Sequence, residues 1–559
     1  MSAFPPQLAA LDERLARRRG MILIMILAAA LFLGWISRFI QDDAFISFVY
    51  ARELVQGNGL TWFGVTVEGY TNFLWVVWIA AGMAAGIEPV FWSQLSGLAA
   101  FLLAVYAAWR LARRVSDSDA VALFCALAFI TNRSAAAYAT GGLETMLQTA
   151  LLTLALWLVY ELWLAREARR VREWLLGAVA LLAILTRMDS GLVLAVIGVA
   201  ALAVLARRRA GPAHYARLAV PPLAGVAAWF IWKAAAYGSL LPNSYHAKVD
   251  FSMEIAGHGL VYLWRFLHWY ALWPLFLAAA AGYLLRGAPR AARLLPPVAI
   301  LVLWGAYVVY VGGDFMEFRF LVPVTPVLML VLGVMILHAL GGRAARLPAA
   351  GLALALLILA GASLRHALTF TSMTDDLRLD SIPVLATFYG RYPEENWDRL
   401  GRPLGEQLNG TGAVLASSAV GAIPYYSDLK TIDMWGLNDP HIPEIGSTAD
   451  PEQLRPGHVR YAPLSYLRSR GVNLVIDHPT TIPRGGLDNE QVRGYALRWF
   501  RRIVASPWSS GESPGSEVTL VAMPINEAES LLMWYLIPSP DIQAVMSRND
   551  WETLSLRLD

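Results

Sequence analysis

Two adjacent carboxylates, Asp42 and Asp43, directly follow the first long apolar stretch of the chain. A carboxylate there can accept the proton of an attacking hydroxyl or bind a divalent cation. Two neighbouring acids also push their pKa values apart, which suits one of them to work as a base near neutral pH. A solvated acid pair at a helix end is the plainer alternative. Downstream, Glu68-Gly69-Tyr70-Thr71-Asn72 crowds hydrogen-bonding groups into one turn among aromatic residues. Aromatic faces beside acids and amides suit a sugar ring, with Glu68, Tyr70 and Asn72 as its hydrogen-bonding contacts. Trp62 and Trp75 alone would read as interfacial anchors.

Further polar residues sit in loops that alternate with the arginine-rich ones. Glu144 follows Gly141-Gly142 at the start of an apolar segment, where a helix N-terminus favours negative charge. Arg187 and Asp189 share a tight turn, as a structural ion pair or as a phosphate clamp. The stretch Leu241 to Lys248 carries Asn243, Tyr245 and His246. Its Lys248 can pair with a lipid-linked phosphate or snorkel at the interface. Gly312 to Arg319 contains Asp314 directly after paired glycines, which permit close backbone approach, and Arg319, which can grip a phosphate bidentately. Ionisable groups collected at one side of a membrane bundle are site candidates by default.

The elements that must position these residues are apolar helices. Hydrophobic residues make up 57% of the chain and charged residues 16%, against about 25% charged in soluble domains. The expected fold is therefore a polytopic α-helical membrane protein of about 11 transmembrane helices. Residues 1–20 form a basic cytoplasmic N-terminus, because Arg14, Arg17, Arg18 and Arg19 precede the first span. The transmembrane domain is expected over 21–366, with 41–91 as its first outer loop. Phe73–Ala85 is short and aromatic and reads as an interfacial or re-entrant helix. Expected spans lie near 21–40, 91–109, 119–134, 145–165, 174–186, 190–206, 218–236, 260–284, 294–311, 320–341 and 348–366. With that assignment every basic loop falls inside and every candidate site residue falls outside.

Residues 367–559 form an outer C-terminal domain of mixed α/β character. Val414–Ala419, Val472–Asp477 and Val518–Ala522 read as strands and Pro463–Arg470 as a helix. The long first outer loop is too aromatic for disorder, and loops beyond about 12–15 residues without regular structure are usually functional. Cys125 is the single cysteine, which excludes an intrachain disulfide. No cleavable signal peptide is expected, because the first apolar stretch is long enough to span and no small-residue cleavage site follows. No GxxxxGK[ST], HExxH or CxxC motif occurs, so ATP-driven transport, zinc proteolysis and thiol redox chemistry have no support. The net charge of +3 gives no reason to propose nucleic acid as a partner.

The string DDAFISFVYARELVQGNGL…VEGYTNFLW, with GGLET at Gly141–Thr145, LPNSYHAK at Leu241–Lys248, GGDFMEFRF at Gly312–Phe320 and IDMWGLNDP at Ile432–Pro440, resembles the mycobacterial terminal β-(1→2)-arabinofuranosyltransferase family and its bacterial relatives. These are GT-C glycosyltransferases that use polyprenyl-phosphate sugars. The resemblance implies that Asp42 or Asp43 is the base, with Arg187, Lys248 or Arg319 stabilising the departing phosphate. It implies an arabinofuranose donor on a polyprenyl phosphate and an extracytoplasmic glycan or pilin-like protein as acceptor. Tyr425, Tyr426, Asp433 and Trp435 are expected to bind or orient that acceptor, and a divalent cation on Asp42 and Asp43 stays open. Two other classes remain: a transporter of a lipid-linked sugar, which would place polar groups near the midplane, and a glycan-binding assembly protein.

Overall fold

A computed structural model describes residues 6–164, 170–248, 252–288, 291–341, 347–370, 379–389, 397–448, 460–504 and 517–557. Among them, eight helical stretches are long and apolar enough to cross a bilayer. They are Arg19–Ile36, Pro89–Ser116, Thr145–Leu164, Ser190–Arg207, Pro212–Tyr237, Ala291–Tyr310, Arg319–Leu340 and Leu347–Thr369. The other three expected spans are met by shorter helices: Asp119–Ile130, Arg170–Thr186 and Leu272–Leu285. The chain is a multi-pass membrane protein. Phe73–Ala84 has 12 residues, which rise about 18 Å and fall short of the ~30 Å hydrocarbon layer.

Two expectations change. The span expected near 260–284 is two helices, Met253–Trp269 and Leu272–Leu285, broken at Ala271 with φ 52°. The first lies across the bundle rather than through it. Its Ile255 abuts Gly312, just beyond the end of Ala291–Tyr310, and its Trp269 stacks on His366 in the last turn of Leu347–Thr369. His258, Arg265 and His268 interrupt its apolar pattern, which is why it does not run through lipid. The span expected at 119–134 ends at Ile130. Asn132 then accepts the N–H of Ala135 and starts the short helix Arg133–Ala137.

Beyond Thr369 the chain forms a mixed domain around a seven-stranded sheet. Leu415–Ser417 pairs in parallel with Thr431–Asp433 on one side and Leu474–Ile476 on the other. Glu529–Tyr535 continues the sheet antiparallel to Leu474–Ile476. Glu517–Pro524 and then Glu552–Arg557 extend it, while Thr481–Pro483 also pairs on Glu529–Tyr535. Helix Leu464–Ser469 leads into the strand at Leu474. Ala416, Ile432, Leu467, Val475, Leu520 and Trp534 are buried between the sheet and its helices. The acids at 375–376 and 394–395 lie outside the described residues.

The domain does not stand apart from the bundle. Helix Asp42–Val55 buries nearly its whole length, and Phe45 packs against Tyr425 and Tyr426 with ring centroids 5.5 and 5.3 Å away. Arg52 donates to the carbonyl of Tyr425 and pairs with Asp428 at 2.8 Å.

Candidate functional site

The acid pair divides at once. Asp42 is buried, and both of its carboxylate oxygens accept backbone N–H groups from the C-terminal domain: Gly421 at 3.0 Å and Ala422 at 2.7 Å. These amides open the helix Ala422–Ser427. Burial pushes the Asp42 carboxyl up to about 7, the two N–H groups oppose that shift, and the charge of Asp43 adds to it. Asp43, one residue on and therefore about 100° round the helix, is half-buried instead. Its charge acts on Arg319. Of the two expected catalytic acids, Asp42 is thus a docking residue and Asp43 faces the cationic cluster. Each Asp42 oxygen accepts one of these amides and keeps a further lone pair. Among the described residues no three His, Cys, Asp or Glu side chains gather as a metal site.

A continuous polar chain lies beside Asp43. Asn72 donates to Glu144 at 2.7 Å and bonds Ser47, and Glu144 accepts from Arg187 at 2.9 Å. Arg187 also forks onto Asp189 through Nε and a terminal nitrogen, 3.0 and 2.6 Å from the same oxygen. Asp189 accepts from Gln148 at 2.7 Å and from the hydroxyl of Tyr307 at 3.1 Å. These two carboxylates hold the Arg187 guanidinium well above its ordinary range although burial opposes them. Arg319 donates Nε to Asp314 at 2.6 Å. Both guanidiniums lie over the ring of Phe320, at 5.6 and 5.3 Å from its centre. The structure therefore brings Asp43, Asn72, Glu144, Arg187, Asp189, Asp314 and Arg319 to one end of the bundle, with two cations sharing an aromatic platform. A guanidinium carries five donors in a fork suited to phosphate, and Asp314 takes one of those on Arg319.

Other candidates have structural partners. Glu68 pairs with Lys233 at 2.9 Å; burial pushes its carboxyl up to about 7 and the lysine opposes this. Tyr70 shares a hydroxyl contact of 3.1 Å with Tyr237. Asn243 donates to the carbonyls of Gly436, Leu437 and Asp439 at 2.8–3.0 Å, tying the LPNSYHAK loop to the IDMWGLNDP turn. Tyr245 and His246 are exposed beside each other, away from the cluster. Lys248 closes the helix Asn243–Lys248, and its side chain lies outside the described residues.

The residues expected to hold an acceptor mostly fold the domain. Tyr425 and Tyr426 dock Ala422–Ser427 onto Asp42–Val55. Asp433 is fully buried and accepts from the amides of Trp435 and Asn438 and from the Asn438 side chain, so it shapes its own turn. Burial raises it to about 6 against those bonds. Trp435 is half-buried, edge-on to Tyr461 at 5.1 Å.

Lys233, Gln148, Tyr307 and Phe320 escaped the sequence reading. Lys233 carried a signal, since a lone lysine inside an apolar helix marks a buried partner. The other three look like ordinary span residues until the bundle is assembled.

A multi-pass helical membrane protein with a mixed α/β domain at the polar end of its bundle is thus the class that fold and site define. Residues 388–519 match a domain of unknown function (DUF8728). The motif resemblance extends to 29% identity over 340 residues with the terminal beta-(1->2)-arabinofuranosyltransferase of Mycobacterium tuberculosis, covering 53% of this chain and 53% of that protein. The chain thus spans about half the length of that curated relative. Among solved structures, ArnT from Cupriavidus metallidurans bound to undecaprenyl phosphate matches with a TM-score of 0.49 at 14% identity, over 91% of this chain and 97% of that one. The arabinofuranosyltransferase AftD from Mycobacteria matches at 0.48 and 16%, over 82% of this chain and 35% of that one.

Proposed function

We propose that this protein is a glycosyltransferase that moves arabinofuranose from a polyprenyl-phosphate donor to an extracytoplasmic acceptor, a glycan or a pilin-like protein. Asp43 takes the proton of the acceptor hydroxyl. The hydroxyl oxygen forms the new bond to the anomeric carbon as the bond to the phosphate oxygen breaks. Arg319 and Arg187 stabilise the charge that develops on that departing oxygen. A single displacement inverts the anomeric carbon.

The observation that carries this reading is the division of labour within the acid pair. Asp42 is committed to the Gly421 and Ala422 amides, while Asp43 stands half-buried beside a cationic platform suited to phosphate. The sugar assignment rests on the partial relationship to the mycobacterial arabinofuranosyltransferase. The orientation rests on the basic loops, which belong in the cytoplasm and lie at the opposite ends of the spans from this cluster. A divalent cation would be held by Asp42 and Asp43 together with the donor phosphate.

The test is transfer by purified protein from polyprenyl-phosphoryl arabinofuranose, with an arabinan oligosaccharide and a pilin-like peptide as acceptors and with mannose, glucose and aminoarabinose donors as controls. Asp43→Asn lowers kcat by about 10²–10⁴, the range of general-base catalysis, and leaves donor binding intact. Unchanged transfer by this variant would falsify the assignment. Transfer from another donor alone would discard arabinose and keep the mechanism.

A further inference from the structure

Among the described residues, the buried polar groups at this end of the bundle without a hydrogen-bond partner include two that flank one loop. One is the hydroxyl of Tyr138 and the other is the carboxamide of Gln41, on both its oxygen and its nitrogen. Both residues are 1% exposed. A buried polar group left without a hydrogen bond costs about 1–3 kcal/mol, and nearly all such groups in folded proteins have one. They flank the same loop. Gln41 donates its backbone N–H to Gly141 at 3.1 Å, and the ring of Tyr138 packs edge-on against Phe39 on the other side of Gly141.

Gln41 precedes Asp42 and Asp43 at the N-cap of their helix, yet its side chain makes no capping bond. The groups whose charges act on Tyr138 include Glu317, Asp314 and Arg319. Glu317 is occupied by the Ile382 amide at 2.7 Å and Ser134 at 3.2 Å, and Asp314 by Arg319. Burial and those two acids keep the proton on Tyr138, so its hydroxyl is a donor.

We propose that Tyr138 and Gln41 are donor-binding residues: the Tyr138 hydroxyl hydrogen-bonds the donor's phosphate beside Arg319, and the Gln41 carboxamide holds a hydroxyl of the transferred sugar beside Asp43. This rests on the glycosyl-transfer reading above. It explains why two polar groups are kept dry and unpaired where phenylalanine or methionine would pack equally well. Binding sites hold such locally unfavourable groups because the ligand completes them.

The hydroxyl and the amide can be deleted with little change of shape, so stability and binding separate. In full-length protein in lipid nanodiscs, Tyr138→Phe weakens binding of polyprenyl phosphate, which carries no sugar, on the order of tenfold, as expected for a lost bond to a charged group. Gln41→Met leaves that affinity unchanged and raises KM for the sugar-bearing donor by a similar factor. Both variants keep or raise Tm, because each removes an unpaired buried polar group. Wild-type affinity and KM in both variants would overturn the inference while the base assignment stands. Failure of the wild-type protein to bind polyprenyl phosphate would sink the glycosyl-transfer reading and this inference with it. A fall in Tm with unchanged binding would also overturn it, since that marks a structural role.

Discussion

Gly421→Ala tests whether the C-terminal domain sets the position of the base. Gly421 has φ −93° and ψ −97°, and a Cβ built there would lie 2.0 Å from the backbone oxygen of Asp42 and 2.4 Å from its Cγ. Ordinary contact requires more than 3 Å, and the nearest obstruction is backbone. The two segments must therefore part by about 1 Å, which stretches the 3.0 and 2.7 Å bonds to Asp42 beyond hydrogen-bonding range. Each bond to a charged acceptor contributes about 1.5–3 kcal/mol, so about 3–6 kcal/mol of docking is at stake, or about 10²–10⁴ in its equilibrium. Asp43 is the next residue, and a misplacement of about 1 Å at a reacting group lowers rate by about 10². The expected result is a kcat near 1% of wild type. Faster amide exchange should appear over 42–55 and 421–427, with the spanning helices unaffected. Gly361→Ala is the control, since a Cβ there meets nothing within 4 Å. Transfer within about twofold of wild type, with native exchange at both segments, would refute the coupling of domain docking to catalysis.

The remaining predictions follow from the same cluster. The Asp42 carboxyl ionises near 3.8 in an unfolded chain and at about 7 in the fold, because burial disfavours its charge. Between those values the folded state binds more protons than the unfolded one. The proton-linked part of its contribution to stability is therefore complete below 3.8, falls by up to about 1.4 kcal/mol per pH unit, and is gone above about 7. Tm measured from pH 4 to 8 should fall more steeply in wild type than in Asp42→Asn, and parallel curves would count against it. Arg187→Met leaves Glu144 and Asp189 buried without their shared cation, so a loss of about 3–5 kcal/mol is expected together with loss of polyprenyl-phosphate binding. Adding Glu144→Gln should restore part of the Tm and none of the binding. Binding that survives Arg187→Met would remove Arg187 from the phosphate site.

What the sequence made legible was whatever local chemistry decides. The helical periodicity after Asp42 produced Asp42–Val55, and the β-branched runs at 414, 472 and 518 produced strands at Leu415–Ser417, Leu474–Ile476 and Glu517–Pro524. The alternation of basic and polar loops places Glu144, Arg187, Asp189, Asp314 and Arg319 at one end, because charge follows the membrane side. Illegible was whatever depends on a distant partner. Asp42 and Asp43 are chemically identical in sequence, and only amides 379 and 380 residues away separate their roles. For Tyr425, Tyr426 and Asp433 the family resemblance implies contact with the acceptor. The fold uses them to dock one helix and close one turn.

That reuse changes what the C-terminal domain is for. A domain that only captured acceptor would touch the bundle at its rim and leave the first loop to fold by itself. Here the helix carrying Asp43 is packed by Tyr425 and Tyr426, clamped at Arg52, and fixed at its first turn by two amides of the domain. Asn243 ties a second loop of the bundle to the Gly436–Asp439 turn through three carbonyls. Each of these contacts joins residues separated by nearly two hundred positions or more, so none forms until both parts have folded. Under the proposed mechanism the base therefore reaches its place beside Arg319 only in the assembled molecule. The domain then belongs to the catalytic apparatus whichever acceptor it meets.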